Sequence, residues 1–499
     1  MRSCVGTGCR VAILGARYQW LRIMNNSRLP AAPALARGRA MIRLTSAAAA
    51  SLVLLGCASF SPDGGMSRVS ELTRERTGRP VTYQASESDA DSARARVAEL
   101  LKEPLTADGA VEVALLNNRG LQARFSELRI AEADLVQAGR LRNPVFSFGH
   151  LAGGGALEVD RSVMFDVLGL LTLPARSRVA QGRFEQAQFQ AAFDAVGTAA
   201  EARQDFIEAV ASRQLATYAR QVMDTADASN ELARGMVKAG NMSKLDQMRE
   251  QAFHADATAQ LARSQQRAVA ARERLVRALG LGDEQSALKL PDRLPDLPQE
   301  PADVGDAEQA AMSQRLDVLM ARRETEATAR QLGLTNATGF INVLDAGWQN
   351  KSERGAPTES GYEIQVEVPL FDFGGASRAR ARAQYMQSVH RTAAVAVNAR
   401  SEVREAYAGY RTAYDLARHY RDDVVPLRKR ISDENLLRYN GMLIDVFELL
   451  ADAREQVASV TSAVEATRDY WVAQGRLQTA LTGRSPGAAD VASSTHSND

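Results

Sequence analysis

The chain has 499 residues, with 61 Lys plus Arg against 60 Asp plus Glu, so its formal net charge of +1 gives no electrostatic footprint for nucleic acid as a partner. Hydrophobic residues make up 45% and aromatics only 6%, a mixture rich in Ala, Leu and Val that suits long helices with small side chains at their seams. His150, His254, His390, His419 and His496 carry no paired ligand spacing. No Gly-x-Ser-x-Gly elbow or phosphate loop occurs either, so the sequence points away from an enzyme and implies no cofactor and no metal.

At the amino terminus no acidic residue precedes Asp63, whereas Arg2, Arg10, Arg17, Arg22, Arg28, Arg37, Arg39 and Arg43 do. A short apolar run then ends in Leu54-Leu55-Gly56-Cys57. A basic region, an apolar stretch and a small residue before the cut describe a signal peptide over residues 1–56. The stretch is too short to span a bilayer, which takes about 20 apolar residues. Met41 starts a compact signal of its own, which leaves residues 1–40 readable as an over-extended gene start. Leu-Leu-Gly-Cys resembles a bacterial lipobox. That resemblance implies a lipidated Cys57, with Ala58 in place of Asp after it implying the outer membrane. Several acyl chains on one residue suffice for stable anchoring. Cys4 and Cys9 leave with the leader, so the mature chain has no second cysteine for a disulfide or a metal site.

Residues 57–104 read as a polar, irregular, lipid-anchored tether. A first structural repeat over 105–290 opens with a helix from about Thr106 to Arg140, stopped by Asn143-Pro144. Val145–Leu151 and Ser162–Val167 then read as two strands joined at Gly153-Gly154-Gly155. A long helix follows from about Ala175 to Ala239, with Ala195, Ala202, Ala209, Ala216 and Met223 at the seven-residue spacing of a coiled-coil seam. Gly240-Asn241 breaks it, and a further helix starts near Ser243, read as its N-cap, and ends at Gly280.

A Pro-rich linker over 291–303 separates this from a second repeat over 304–483, in which the order recurs. A helix (about Val304–Gln331) leads to a strand through Phe340–Trp348 and a polar tip with Gly355-Ala356-Pro357. The next strand alternates Tyr362, Ile364, Val366 and Val368 with Glu363, Gln365 and Glu367. A second long helix runs from about Ala376 to Tyr439, with Val389, Ala396, Val403, Tyr410, Ala417, Val424 and Ile431 seven apart. Asn440-Gly441 breaks it, a last helix reaches Thr482, and residues 484–499 read as a disordered tail. Asn118-Arg119-Gly120-Leu121 matches Arg315-Leu316-Asp317-Val318, so the chain is an internal duplication of helix, two strands, long helix, break and helix.

Four strands cannot close a membrane barrel, which takes at least about eight, and open edges are not tolerated in lipid. The strands must therefore be completed by other chains. On Asn117-Asn118-Arg119-Gly120-Leu121, Pro369-Leu370-Phe371-Asp372-Phe373-Gly374-Gly375, Val425-Pro426-Leu427 and Tyr439-Asn440-Gly441, the chain resembles the TolC family of outer-membrane efflux proteins, in its lipoprotein branch. The resemblance spans about Thr106–Thr482. It departs from the family pattern at Arg119-Gly120, where Pro-Asp is usual. It implies an α+β fold: a homotrimer in which four transmembrane strands per protomer complete a twelve-stranded β-barrel above a long helical periplasmic barrel. The partners it implies are a periplasmic adaptor, an inner-membrane pump and the lipid of the outer membrane.

The same resemblance makes Gly240, Asn241, Met242, Gly441, Met442 and Leu443 the adaptor-docking tips. Asp246, Asp445 and Glu448 become candidates for an acidic gate, with ordinary solvated helix charges as the alternative. Strand alternation puts Glu363, Gln365 and Glu367 toward a lumen, the rival being a soluble sheet with one wet face. Two other functions compete with the channel. A lipidated periplasmic adaptor needs a single hairpin flanked by β domains; a lipid-anchored coiled-coil protein needs no strands.

Overall fold

The computed structural model describes residues 59–483 except 154–155, 283–287, 304, 340–342, 369 and 372. Met1–Cys57 and Ala58–Asp499 are separate units, and the description concerns the second. The expected lipidation site Cys57 and the tail from 484 onward lie outside the described residues.

In chain order the elements are α1 (Met66–Thr77), α2 (Glu87–Leu100), α3 (Ala107–Asn117), α4 (Arg119–Ala138), β1 (Val145–Gly153), β2 (Ala156–Asp166), α5 (Val167–Lys238) and α6 (Lys244–Leu279). The second half gives α7 (Ala307–Gln314), α8 (Leu316–Thr338), β3 (Leu344–Glu353), β4 (Glu359–Val366), α9 (Gly375–His419), a π-helical turn (Tyr420–Val424), α10 (Val425–Asn440) and α11 (Val446–Thr482). The four strands form one antiparallel sheet in the order β1-β2-β3-β4. The fold is the expected α+β duplication.

Helix α5 has 72 residues, about 108 Å at 1.5 Å per residue. It starts earlier than expected because Asp166 caps it: Oδ1 accepts the Gly169 N–H at 2.5 Å, and the helix continues through Pro174. The Thr172 hydroxyl bonds the Leu168 carbonyl in the same turn. Ala195, Ala202 and Ala209 are buried, as a close-packed seam requires. On α6 the buried stripe runs Glu250, Ala257, Ser264, Ala271 and Ala278.

On α9 the stripe of Val403, Tyr410 and Ala417 is buried, yet Ile431 is exposed and α10 has no buried residue. The expected seven-residue pattern therefore ends early. Pro426 has no N–H for a carbonyl one turn back, and the Tyr420–Val424 segment winds as a π turn, with the Val425 N–H on the Tyr420 carbonyl. One extra residue in a turn rotates every later position by about 100°, which carries the stripe off the packed face.

The segment expected to be irregular is instead ordered. Ser86 and Asp89 form a reciprocal cap on α2. Met66, Val69, Leu72 and Val81 join the core with Phe125, Phe184 and Ala192. Upstream, the Ser61 N–H and hydroxyl donate to buried Glu132 at 2.6 and 2.5 Å.

Each expected single helix before the strands is two, split at equivalent points. Asn118 caps α4 through the Leu121 N–H, and its amide donates to the Ala278 carbonyl at the end of α6. Arg315 takes that place in the second half. Its guanidinium, 1% exposed, donates to Asp317 at 3.0 and 2.6 Å, to Glu402 at 2.7 Å and to the Ala480 carbonyl at 2.8 Å near the end of α11. Burial lowers the pKa of this guanidinium, but hydrogen bonding and charge from Asp317, then Glu402, more than offset it, so it ends above its ordinary value.

On α5, burial pushes the Asp205 carboxyl up from its ordinary pKa, with Glu201 adding to the rise and Arg274 and Arg277 of α6 opposing it. A carboxyl with a raised folded pKa costs stability once the pH climbs through the unfolded value of 3.8 toward the folded one. Asp205→Asn should therefore raise the denaturation midpoint at neutral pH. The gain should shrink to nothing below the ordinary carboxylate range, as thermal melts at both pH values will check.

Candidate functional site

Alternate residues of a strand share a face, and the register turns this into rows across the sheet. One face carries Phe146–Val163–Trp348–Tyr362, then Phe165–Ala346–Ile364, then Leu344–Val366. Phe146, Phe165, Trp348, Tyr362, Ile364 and Val366 are all exposed. The opposite face carries Met164–Gly347–Glu363, Asp166–Asp345–Gln365 and Asp160–Lys351–Glu359. Lys351 pairs with Glu158 on this polar face. Glu363 and Gln365 thus share a face with Asp160, Asp345 and Asp166, an acidic excess invisible from β4 alone. Glu367 lies beyond the strand, its N–H donating to the Val343 carbonyl at 3.2 Å. Within the chain, β1 pairs only with β2 and β4 only with β3, so the outer edges of both are unpaired among the described residues.

At the other end of the helices lie two tight turns. In the first, Gly240 adopts φ 78°, its N–H bonding the Val237 carbonyl and the Asn241 N–H the Met236 carbonyl. In the second it is Met442, not Gly441, that turns left-handed, at φ 58°, with its N–H on Tyr439 and the Leu443 N–H on Arg438. Gly240 therefore corresponds to Met442, one residue past the Asn440-Gly441 break read from the sequence. Met242 corresponds to Ile444 in the same way. Met442 and Leu443 are 93% and 77% exposed. A side chain in this conformation costs about 1–2 kcal/mol relative to a right-handed one. Met442→Gly should stabilise this turn by up to about 1 kcal/mol, partly offset by unfolded-state entropy. Hydrogen exchange of the Met442 and Leu443 amides is the check.

The corrected register also pairs Ser243 with Asp445 and Asp246 with Glu448. Ser243 caps α6 through the Asp246 N–H, while the Asp246 carboxylate accepts the Ser243 hydroxyl at 2.6 Å and Arg249 at 3.0 Å. The Asp445 carboxylate accepts the Glu448 N–H at 2.9 Å, capping α11. Each acid thus has a local helix-capping or first-turn position. The structure brings Asp445 and Glu448 together at the start of α11, whereas Asp246 lies in the first turn of α6, in the other hairpin.

One contact escaped the sequence reading. Glu250, with its side chain 2% exposed, accepts the Ser229 hydroxyl at 2.8 Å and Arg454 of α11 at 2.5 Å, and Arg454 stacks over the Phe253 ring at 4.4 Å. This ties the α5–α6 hairpin to the α10–α11 hairpin. A carboxylate on a seam otherwise made of Ala and Ser was the available signal.

Among the described residues no helix is long and apolar enough to cross a membrane. No family model and no curated protein matches the sequence. Solved structures do. A membrane protein from Pseudomonas aeruginosa aligns at 18% identity and TM-score 0.66, over 76% of this chain and 90% of its own. The outer membrane protein VceC of Vibrio cholerae aligns at 15% and 0.64, over 76% and 96%. The outer membrane channel CmeC of Campylobacter jejuni aligns at 12% and 0.65, over 78% and 88%. The chain has the fold of these membrane proteins.

Proposed function

We propose that the chain is the outer-membrane channel of a tripartite efflux or type I secretion-like system, a passive conduit for small molecules and not an enzyme. The observation that carries this is the sheet: one face apolar and exposed, the other acidic, and both outer edges open. Such edges demand partners in lipid. Three copies supply twelve strands, with the apolar face to the bilayer and Glu363, Gln365, Asp345 and Asp160 toward the lumen. In this reading Cys57 is acylated, and the protein sits in the outer membrane with its long helices in the periplasm. Gly240, Asn241, Met242, Gly441, Met442 and Leu443 meet a periplasmic adaptor that couples to an inner-membrane pump. Asp246, Asp445 and Glu448 supply negative charge near the closed end, where cations are favoured.

Single-channel recording of the detergent-extracted protein in planar bilayers tests the proposal. Discrete steps, a cation-selective reversal potential and an oligomer mass near three chains are expected, and Cys57→Ser should weaken membrane retention but not conductance. A silent bilayer with monomeric protein would refute it and favour an adaptor or a structural coiled coil.

A further inference from the structure

The apolar face of the sheet is shorter than a bilayer. From Tyr362 to Val366 the chain advances about 14 Å along the strand at 3.4 Å per residue, and less along the membrane normal once strands tilt. Membrane barrels carry an outward apolar band of about 25 Å. Toward the β1–β2 tip, the next row on the same face holds Arg161, Asn350 and Ser360 beside Phe148. A charge on a lipid-facing strand is tolerated near the interface and costly at the midplane, so the Arg161 row marks one boundary. The missing height therefore lies at the helix end of the sheet. There Leu170, Leu171, Val368, Leu370, Phe371 and Phe373 are all exposed, Phe371 fully. They place exposed apolar side chains just past the strand ends.

Just beyond this collar the first turns of α5 and α9 carry charge of one sign. Arg140 and Arg142 precede β1, Arg176 and Arg178 follow the first turns of α5, and Arg380 and Arg382 follow those of α9. Residues 167–184 and 373–401 contain no Asp or Glu. Arg142 approaches Asp166 at 3.8 Å; the other five form no ion pair among the described residues. Two positions apart on a helix is about 200°, so Arg176 and Arg178 point to opposite sides, as do Arg380 and Arg382. Whichever side of the helical wall faces outward therefore carries an arginine from each helix.

We propose that this collar seats the periplasmic leaflet of the bilayer, with its apolar residues among acyl chains and its outward arginines on the phosphates of anionic phospholipids. This rests on the channel reading above. Arginine suits the place: its stem lies along apolar surface while the planar guanidinium reaches the headgroup and binds phosphate through two N–H groups. A basic side chain at an anionic surface favours binding about fivefold.

The test uses the full chain reconstituted in vesicles of equal phosphatidylcholine and phosphatidylglycerol, extracted mildly, with retained lipid counted by native mass spectrometry and conductance recorded from the same sample. Phosphatidylglycerol should be enriched about fivefold or more over phosphatidylcholine. The R176Q/R178Q/R380Q/R382Q variant should lose the enrichment and still conduct, the corresponding lysine variant should keep most of it, and excess inorganic phosphate should not displace the lipid. Conducting protein with no enrichment, or enrichment unchanged in the glutamine variant, overturns the lipid seat and leaves the channel reading standing. Displacement by phosphate alone, or a variant altered only in reversal potential, overturns it in favour of an anion site or a lumenal ring. Monomeric protein that never conducts fails the channel reading itself.

Discussion

Arg315→Met should cost about 3 kcal/mol of folding stability, the lower end of the range for breaking one side of a buried ion pair. The guanidinium itself is 1% exposed, but Asp317 and Glu402 retain 20% and 29%, so water recovers part of what they lose. The Ala480 carbonyl loses a donor in the same change. Arg315→Lys should recover only part of the loss, because an ammonium cannot satisfy three separated acceptors in one plane. Asn118→Ala at the equivalent junction should cost less, about 1 kcal/mol, since it removes a neutral cap and one carbonyl contact. Urea titration followed by helical circular dichroism checks the order. A loss at Arg315 no larger than about 0.5 kcal/mol, the scale of an ordinary surface change, would mean that the junction does not hold the second repeat together.

Arg454→Ala should be the second severe substitution, and its rescue is the informative part. Removing the guanidinium leaves the Glu250 carboxylate buried with Ser229 as its remaining partner, at a cost of about 3 kcal/mol. Glu250→Ala alone should be mild, because Arg454 is 34% exposed and can turn to water. The double substitution should resemble Glu250→Ala, since alanine is what the seam carries at Ala257, Ala271 and Ala278. Hydrogen exchange should rise across α10 in Arg454→Ala, where no residue is otherwise buried. Additive losses in the double variant would show that the two side chains are not coupled.

The clearest parts of the sequence were those governed by local geometry. Gly280, at φ 66°, ends α6 as its position suggested, and a side chain there would press on the Asn117 backbone. Ser243 caps the same helix, the Tyr362–Val366 alternation forms β4, and the Ala seam of α5 is buried. Errors arose where local signals conflicted. Residues 168–174 precede the expected start of the long helix yet are helical, because Asp166 caps the first turn and the helix continues through Pro174. At the Asn440-Gly441 break the left-handed residue is Met442 and not the neighbouring glycine, because the hydrogen-bond frame of the turn, not the residue's own preference, fixes which position must turn.

The duplication, the two hairpins, the four strands and the apolar side of β4 are all legible in the chain before it folds. These follow from period and punctuation, which each segment carries within itself. What depends on residues far apart in the chain emerges only once the elements pack. The β2–β3 register gathers Asp160, Asp345 and Glu363 on one face. Arg315 reaches Glu402 and Ala480, and Arg454 reaches Glu250. The tether is held because Ser61 meets Glu132. A charged side chain looks the same in sequence whether it faces water or a distant partner; its burial, and hence its energy, is set by the elements that close around it.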